Sequence, residues 1–229
     1  MLSTSLAASL RHLWRGTCLA CDLHPGEPFC RGCLRDFAPP RRPRCPQCGA
    51  AMHRAERCGG CIAAEPAFDA TVVLGDYLPP LDAMVLALKS GARLDLAPPF
   101  GRLLARRAAR LAGRAACVIP VPLSPERLRR RGFNQALELA RPIARALQLP
   151  VAAALVARVR QGTPQQQSGR AQRRANLAGA FAVGGRLAAR DVLLVDDVLT
   201  TGSTLDALAT ALKRAGAGRV TNLVVARTP

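Results

Sequence analysis

Residues 192–208 read VLLVDDVLTTGSTLDAL: an apolar run, two adjacent carboxylates, then a turn rich in hydroxyls. The interior of a buried strand has no use for Asp196 and Asp197, because an unpaired carboxylate is costly to take out of water. The pair therefore belongs at the strand's carboxyl end, where ligands of open parallel sheets bind. Two neighbouring carboxylates can accept hydrogen bonds from two vicinal hydroxyls, such as the 2′ and 3′ pair of a ribose. Thr200, Thr201, Gly202, Ser203 and Thr204 then open a helix. Its first N–H groups are unpaired and converge, Gly202 permits close approach, and the hydroxyls add donors, which makes a phosphate cradle. The spacing from Asp197 to this loop suits one ribose carrying a 5′-phosphate. Turn-forming Asp and helix-capping Ser or Thr are the plainer alternative, but capping needs neither two acids nor four hydroxyl residues.

A second chemistry lies near the N-terminus. Eight of the nine cysteines fall between residues 18 and 61 as four Cys-x-x-Cys pairs: Cys18/Cys21, Cys30/Cys33, Cys45/Cys48 and Cys58/Cys61. A two-residue gap lets both thiolates turn toward one ion, and two such knuckles complete a tetrahedral zinc site. Eight residues separate the first two pairs and nine the last two. Matched spacings favour sequential sites, 18/21/30/33 and then 45/48/58/61, with cross-bracing as the alternative. Disulfides are the competing use, but no convincing signal peptide precedes them, and in a reducing cytosol such arrays read as metal sites. Two structural zinc ions would supply the folding energy of a Pro- and Arg-rich segment too small for a core of its own. His24 and His53 find no vacancy in four-cysteine sites and read as surface residues. Cys117, in the apolar run ACVIPV, reads as a buried small hydrophobe.

The chain has 229 residues, enough for one full domain and a small one. With 33 Lys+Arg against 15 Asp+Glu it carries a formal +18, nearly all of it arginine, since Lys89 and Lys213 are the only lysines. Such a field favours polyanions, either nucleic acid or phosphorylated metabolites, unless it reflects composition alone. Arg31, Arg35, Arg41, Arg42 and Arg44 lie among the cysteine pairs. Arg102, Arg106, Arg107, Arg110 and Arg114 recur at helical spacing, largely on one face. Single-stranded DNA fits this pattern as a partner. Aromatics are only 3% of the residues, so phosphate contacts rather than base stacking would dominate. No run of about 20 apolar residues exists to span a membrane. Residues 1–16 read as an amphipathic helix, with Leu6, Leu10, Leu13 and Trp14 on one side.

From residue 67 onward, strand and helix patterns alternate, which predicts an α/β fold: a mainly parallel sheet flanked by helices. Strands are expected in FDATVVLGDY, AACVIPVPL, VAAALVARV, GAFAV, DVLLVDDV (central) and RVTNLVVART. Helices are expected in PPLDAMVLALKSG, after the prolines of DLAPPFGRLLARRAARLAG, in FNQALELARPIARALQL with a bend at Pro142, and in TLDALATALKRAG. RQGTPQQQSGRAQRRAN has no apolar periodicity and reads as a mobile loop leading into a short helix.

Residues 192–204 resemble the phosphoribosyl pyrophosphate (PRPP) signature of type I phosphoribosyltransferases: an apolar strand, two acids and a T-T-G-x-T loop. The resemblance implies that the catalytic acids Asp196 and Asp197 bind the ribose hydroxyls. It places the 5′-phosphate on Thr200, Thr201, Gly202, Ser203 and Thr204, with magnesium accompanying PRPP. The whole chain is similar to the ComF family, bacterial competence-associated proteins with a zinc-ribbon head and a phosphoribosyltransferase domain. VIPVPLSPERLRRRGFNQA (118–136) is similar to the family's P-V-P-L and R-G-F-N-Q, and ALKSGAR to its L-K block. RVRQGTPQQQSGRAQRRANLAGAF (158–181) is similar to its block of Thr163, Gln166, Arg173, Asn176 and Phe181. Ser90 departs from the aromatic residue common after the lysine, and Gly169 from the usual Leu.

The resemblance implies a double zinc-ribbon domain over 17–66 and a phosphoribosyltransferase-like domain over 67–229. It further implies a cytoplasmic protein acting with DNA-uptake or recombination machinery. Val121, Pro122, Leu123 and Ser124 would form the pyrophosphate-side turn. Arg130 and Arg131 with Gly132-Phe133-Asn134-Gln135 would bring charge and amides to the start of the next helix, so Arg131 and Gln135 join the candidate PRPP contacts. Arg160, Gln166 and Arg173 would close over the pyrophosphate as lids do. Lys89 has two readings of equal weight, a cation at its helix C-terminus or a ligand contact. No nucleobase selector is visible. Two functions stand: a working transferase of unknown acceptor, or a PRPP- or nucleotide-binding module that handles single-stranded DNA.

Overall fold

The computed structural model describes residues 16–39, 42–159 and 179–229. The helix expected over 1–16 and the loop block from Arg160 to Asn176 lie outside the described residues. Val192 to Val195 are buried on both sides of strand β5 (Asp191–Leu199), as a strand must be when both sheet faces are covered. Its neighbours are β6 (Val220–Arg227), buried along its whole length, and β2 (Ala115–Pro120). With β1 (Ala70–Asp76) they form one parallel sheet in the order β1-β6-β5-β2. The expected central position of β5 is therefore found.

Alternation along the strands sorts the core into two layers. Leu74, Val118, Leu193, Val195, Leu223 and Val225 face one side. There they meet α3 (Leu81–Ser90), α4 (Ala97–Ala108) and α6 (Gln135–Leu147). Val73, Ile119, Val192, Leu194 and Val224 face the other side, against α7 (Ser203–Arg214). Helix α3 buries Leu81, Met84, Val85 and Leu88, the spacing of a single helical face, and ends on Gly91. Helix α4 begins before its prolines rather than after them, because a helix's first turn needs no N–H donors from those positions. Residues 151–159 give a parallel bridge from Val151 to Val118 of β2, a 3₁₀ turn (Ala153–Leu155) and a short β3 (Val156–Arg158). That strand pairs antiparallel with β4 (Phe181–Val183), outside the main sheet.

The two cysteine segments dock on opposite faces. Phe29 and Phe37 of the first segment pack on Phe100 of α4, with ring centroids 5.2 and 6.3 Å from it. Between them lies α1 (Arg31–Phe37). The Phe37 carbonyl passes so close to Gly75 that a Cβ there would lie 1.8 Å from it. The second segment carries α2 (Gly59–Ala64) and lies along edge strand β1. Thr71 N donates to Pro46 O at 3.0 Å and Thr71 Oγ1 to Gln47 O at 2.6 Å, so the ribbon occupies polar groups that an edge strand would otherwise expose.

Arg107 corrects the expected basic face. It turns inward and donates to the carbonyls of Val73, Leu74, Ala38 and Pro39, joining β1 to the first segment. Burial, and then nearby Arg44, lowers its pKa to about 10, which still leaves it charged at neutral pH. Arg42 and Arg44 both pair with Asp76. Among the described residues no helix is long and apolar enough to cross a membrane.

Candidate functional site

The four sulfurs of Cys18, Cys21, Cys30 and Cys33 lie within 4.8 Å of one another, and so do those of Cys45, Cys48, Cys58 and Cys61. A tetrahedral zinc with Zn–S near 2.3 Å sets its sulfurs about 3.8 Å apart, so both clusters fit two structural zinc ions. The sequential pairing is the one found, and all nine cysteines are free thiols. Burial alone would raise Cys18 and Cys45. N–H donors outweigh it, from Cys30, Ala20 and Cys21 to Cys18 and from Cys48, Cys58 and Gln47 to Cys45, and bring each to about 7. That favours the thiolate at these two positions, while burial and the neighbouring sulfurs push Cys33 and Cys61 up and burial first of all raises Cys48. His24 and His53 are exposed and Cys117 is buried, as expected.

At the carboxyl end of β5, backbone and side chain lock together. Asp197 N–H donates to Asp196 Oδ1 at 2.9 Å, and Val198 N–H donates to Asp197 Oδ1 at 2.8 Å. Asp197 is buried, and its Oδ2 has no hydrogen-bond partner. Lys89 Nζ stands 3.3 Å from that oxygen, an ion pair without hydrogen-bond geometry. The lysine at the end of α3 thus turns to the carboxylate pair, a partner that neither of its two readings named. Asp196 is partly exposed, although its carboxyl group is more enclosed than the residue as a whole. Burial, then the charge of Asp197, pushes that carboxyl well above the usual range, and Lys89 only partly opposes this.

Beyond the acids, Gly202 takes φ 80°, a left-handed conformation that glycine adopts without strain. It ends the turn and starts α7 as an N-cap without a side chain of its own, while Thr201 Oγ1 accepts from Ser203 N–H at 3.4 Å. Thr201 Oγ1 lies 2.9 Å from Ser203 Oγ, so two hydroxyls of the loop are already ordered against each other. Thr200 is exposed, Thr204 is partly buried, and Phe68 packs beneath Gly202.

The turn after β2 sits beside the acids, because Val121 N–H donates to Val195 O at 2.9 Å. Pro122 and Leu123 are half-buried, and Ser124 caps α5 (Pro125–Arg131). Arg130 and Arg131 therefore end one short helix rather than begin the next. Arg131 Nη1 donates to the buried Gln135 Oε1 at 2.6 Å, so these two candidate contacts occupy each other. Asn134 Nδ2 reaches back to Val121 O at 3.0 Å while its Oδ1 caps α6. Phe133 lies against Gly91, where an added Cβ would come within 2.9 Å of its ring. The R-G-F-N-Q segment thus braces the turn and the Lys89 helix end. Sequence reading missed Arg158, whose guanidinium lies 5.6 Å over the Phe181 ring with its Nε buried and unpartnered. It also missed Arg227, buried beside the loop.

A phosphoribosyl transferase domain model matches residues 134–229. Competence protein F of Haemophilus influenzae is 34% identical over 212 residues, covering 87% of this chain and 91% of that protein. The chain belongs to the ComF family. A second ComF-like relative, DNA utilization protein YhgH of Escherichia coli O157:H7, is 37% identical over 193 residues, 80% of this chain and 84% of that one. A purine phosphoribosyltransferase from Pyrococcus horikoshii Ot3 aligns at TM-score 0.39 and 17% identity, over 61% of this chain and 86% of its own. In this ComF chain the matched range holds the acids, the loop and α7, while the cysteine clusters and the Val121 turn precede it.

The raised Asp196 has a measurable consequence. A carboxyl whose folded pKa exceeds its unfolded value binds protons more tightly when folded, so stability falls as pH rises from about 4 through the folded value. Asp196→Asn removes that titration. Its melting temperature should exceed the wild type's at pH 7 and converge with it near pH 4. Thermal scans that show the same difference at both pH values would mean that Asp196 carries no such penalty.

Proposed function

We propose that this chain binds PRPP with magnesium at the end of β5 and acts in DNA uptake and natural transformation. The observation that carries the reading is the carboxylate pair directly ahead of the hydroxyl-rich turn that opens α7 at Gly202. Asp196 and Asp197 take the ribose hydroxyls, the N–H groups and hydroxyls of residues 200–204 take the 5′-phosphate, and the Val121–Ser124 turn faces the pyrophosphate. The all-oxygen donor set of the two acids suits a hard cation, and magnesium there would offset the phosphate charge. Lys89 holds Asp197 in place rather than meeting ligand directly. Residues 17–66 serve as the double zinc-ribbon domain and residues 67–229 as the transferase-like domain, in a cytoplasmic setting. The names competence protein F and DNA utilization protein support the cellular role.

Single-stranded DNA is the polymer partner that the +18 charge favours. Arg42, Arg44 and Arg107 are committed to internal contacts, so the surface for it shifts to exposed arginines. Arg31 and Arg35 stand on α1, and Arg127, Arg129 and Arg130 on α5.

Calorimetry with PRPP and magnesium tests the first part. Each charge-assisted hydrogen bond lost typically costs about 1.5–3 kcal/mol, so the double Asn variant at 196 and 197, which loses two, should bind at least about a hundredfold more weakly. Equal affinity would remove this site. Gel retardation tests the second part. Single strands should bind with a logarithmic salt slope of about −0.7 per phosphate neutralised, and changing Arg127, Arg129 and Arg130 to Ala should flatten it. No retardation at low salt would leave the positive charge purely compositional.

A further inference from the structure

Arg227 ends β6 as a buried cation whose hydrogen bonds run to two separate places. Its Nε donates to the carbonyl of Cys48, a member of the second cluster, at 3.2 Å. Its Nη1 donates to the carbonyl of Leu199 at 3.4 Å, to Thr228 Oγ1 at 3.0 Å and to the Thr228 carbonyl. Leu199 is the last residue of β5 and directly precedes Thr200. Thr228 strengthens the same point, its N–H and Oγ1 donating to Leu199 O at 3.1 and 3.3 Å. A cavity of about 270 Å³ has Cys48, Cys58 and Cys61 on its lining together with Thr201, Ser203 and Arg227. Cluster, arginine and loop therefore enclose one space. The first cluster has no such link. Its anchors are Phe29 and Phe37 on the opposite face of the sheet, and among the described residues no hydrogen bond joins it to residues 196–204.

A guanidinium is a rigid planar fork, so holding two carbonyls at once fixes their separation. The Cys48 carbonyl rides on a knuckle that Thr71 holds at Pro46 and Gln47, Arg44 holds at Gly49, and a metal would hold at the thiolates. Without a metal, four close thiols share no common ligand and their loop relaxes. We propose that Arg227 is a positioning residue that makes the second cysteine cluster part of the phosphate loop. Metal at Cys45, Cys48, Cys58 and Cys61 sets the Cys48 carbonyl, Arg227 transmits that position to Leu199, and residues 200–204 stay ordered for an anion. The inference rests on reading residues 200–204 as a phosphate loop. Linkage makes it reciprocal: an anion in the loop tightens metal at the second cluster and leaves the first unaffected.

Amide hydrogen exchange on the full, zinc-loaded chain tests this without any phosphate ligand. Zinc is withdrawn stepwise with a chelator, and alkylation with peptide mapping shows which cysteines have been freed. Exchange at residues 201–206 should accelerate about tenfold as Cys45, Cys48, Cys58 and Cys61 become alkylated, while Val118 and Ile119 do not respond. Freeing Cys18, Cys21, Cys30 and Cys33 should leave residues 201–206 unchanged. Arg227→Gln should give a similar acceleration with both metals still bound, and Arg227→Lys an intermediate one. Should the Gln variant not fold, the Lys variant carries the test, since lysine keeps the charge but cannot hold both carbonyls. Unchanged exchange in the variants or after emptying the second cluster, or an equal response to both clusters, overturns the proposal. If exchange responds but PRPP does not bind, the proposed function falls and the coupling stands. If PRPP binds and exchange does not respond, the reverse holds.

Discussion

The ion pair between Lys89 and Asp197 governs what surrounds the end of β5. Two adjacent carboxylates there repel each other and are partly withdrawn from water, an arrangement that persists only with compensation nearby. Lys89 compensates one acid and leaves the other with a raised affinity for protons. Helix α3 must therefore end where it does, capped by Gly91, and Phe133 packs against that glycine to keep it there. Asn134 ties the same segment to the Val121 turn beside the acids. The family's L-K and R-G-F-N-Q segments, far apart in the chain, thus support one pair of charges.

Around this centre the cysteine segments act as more than attachments. One closes the α3–α4–α6 face through Phe29 and Phe37, and the other shields the outer edge of β1 and borders the loop. A half-buried and a buried arginine bind the segments to the sheet by donating to main-chain carbonyls, Arg107 for the first and Arg227 for the second. Guanidinium suits this task because five donors in one plane can serve several acceptors while the charge stays on at neutral pH.

The sequence made legible those features whose residue types have few other uses. Asp196 and Asp197 before Thr-Thr-Gly-Ser-Thr have little to do except meet a ligand, and the matched cysteine gaps pointed to the sequential clusters. The strand and helix order could be read because apolar runs and Gly or Pro boundaries agreed with each other. The arginines were opaque. Arg102, Arg106 and Arg107 look alike in a helical pattern, yet only Arg107 meets a cluster of carbonyls from distant segments, and no local spacing encodes that. Arg131 and Gln135 looked like separate ligand contacts because each type serves phosphate well, and no local spacing showed that one would hold the other, a bond that leaves further donors on both. Residues 151–159 misled for another reason: an alanine-rich run has no period strong enough to separate strand from 3₁₀ turn.

The central proposal is that a magnesium-bound phosphoribosyl ligand meets the crowded carboxylate pair and lowers the proton affinity that burial and Asp197 raise at Asp196. Calorimetric titration of PRPP with magnesium, repeated across a pH series in buffers of different ionisation enthalpy, measures this directly. Wild type should release a proton on binding, seen as a binding heat that varies with the buffer, and Asp196→Asn should lose most of that variation. A binding heat with the same buffer dependence in both proteins would contradict the account, because Asp196 would then play no part in meeting the ligand's charge.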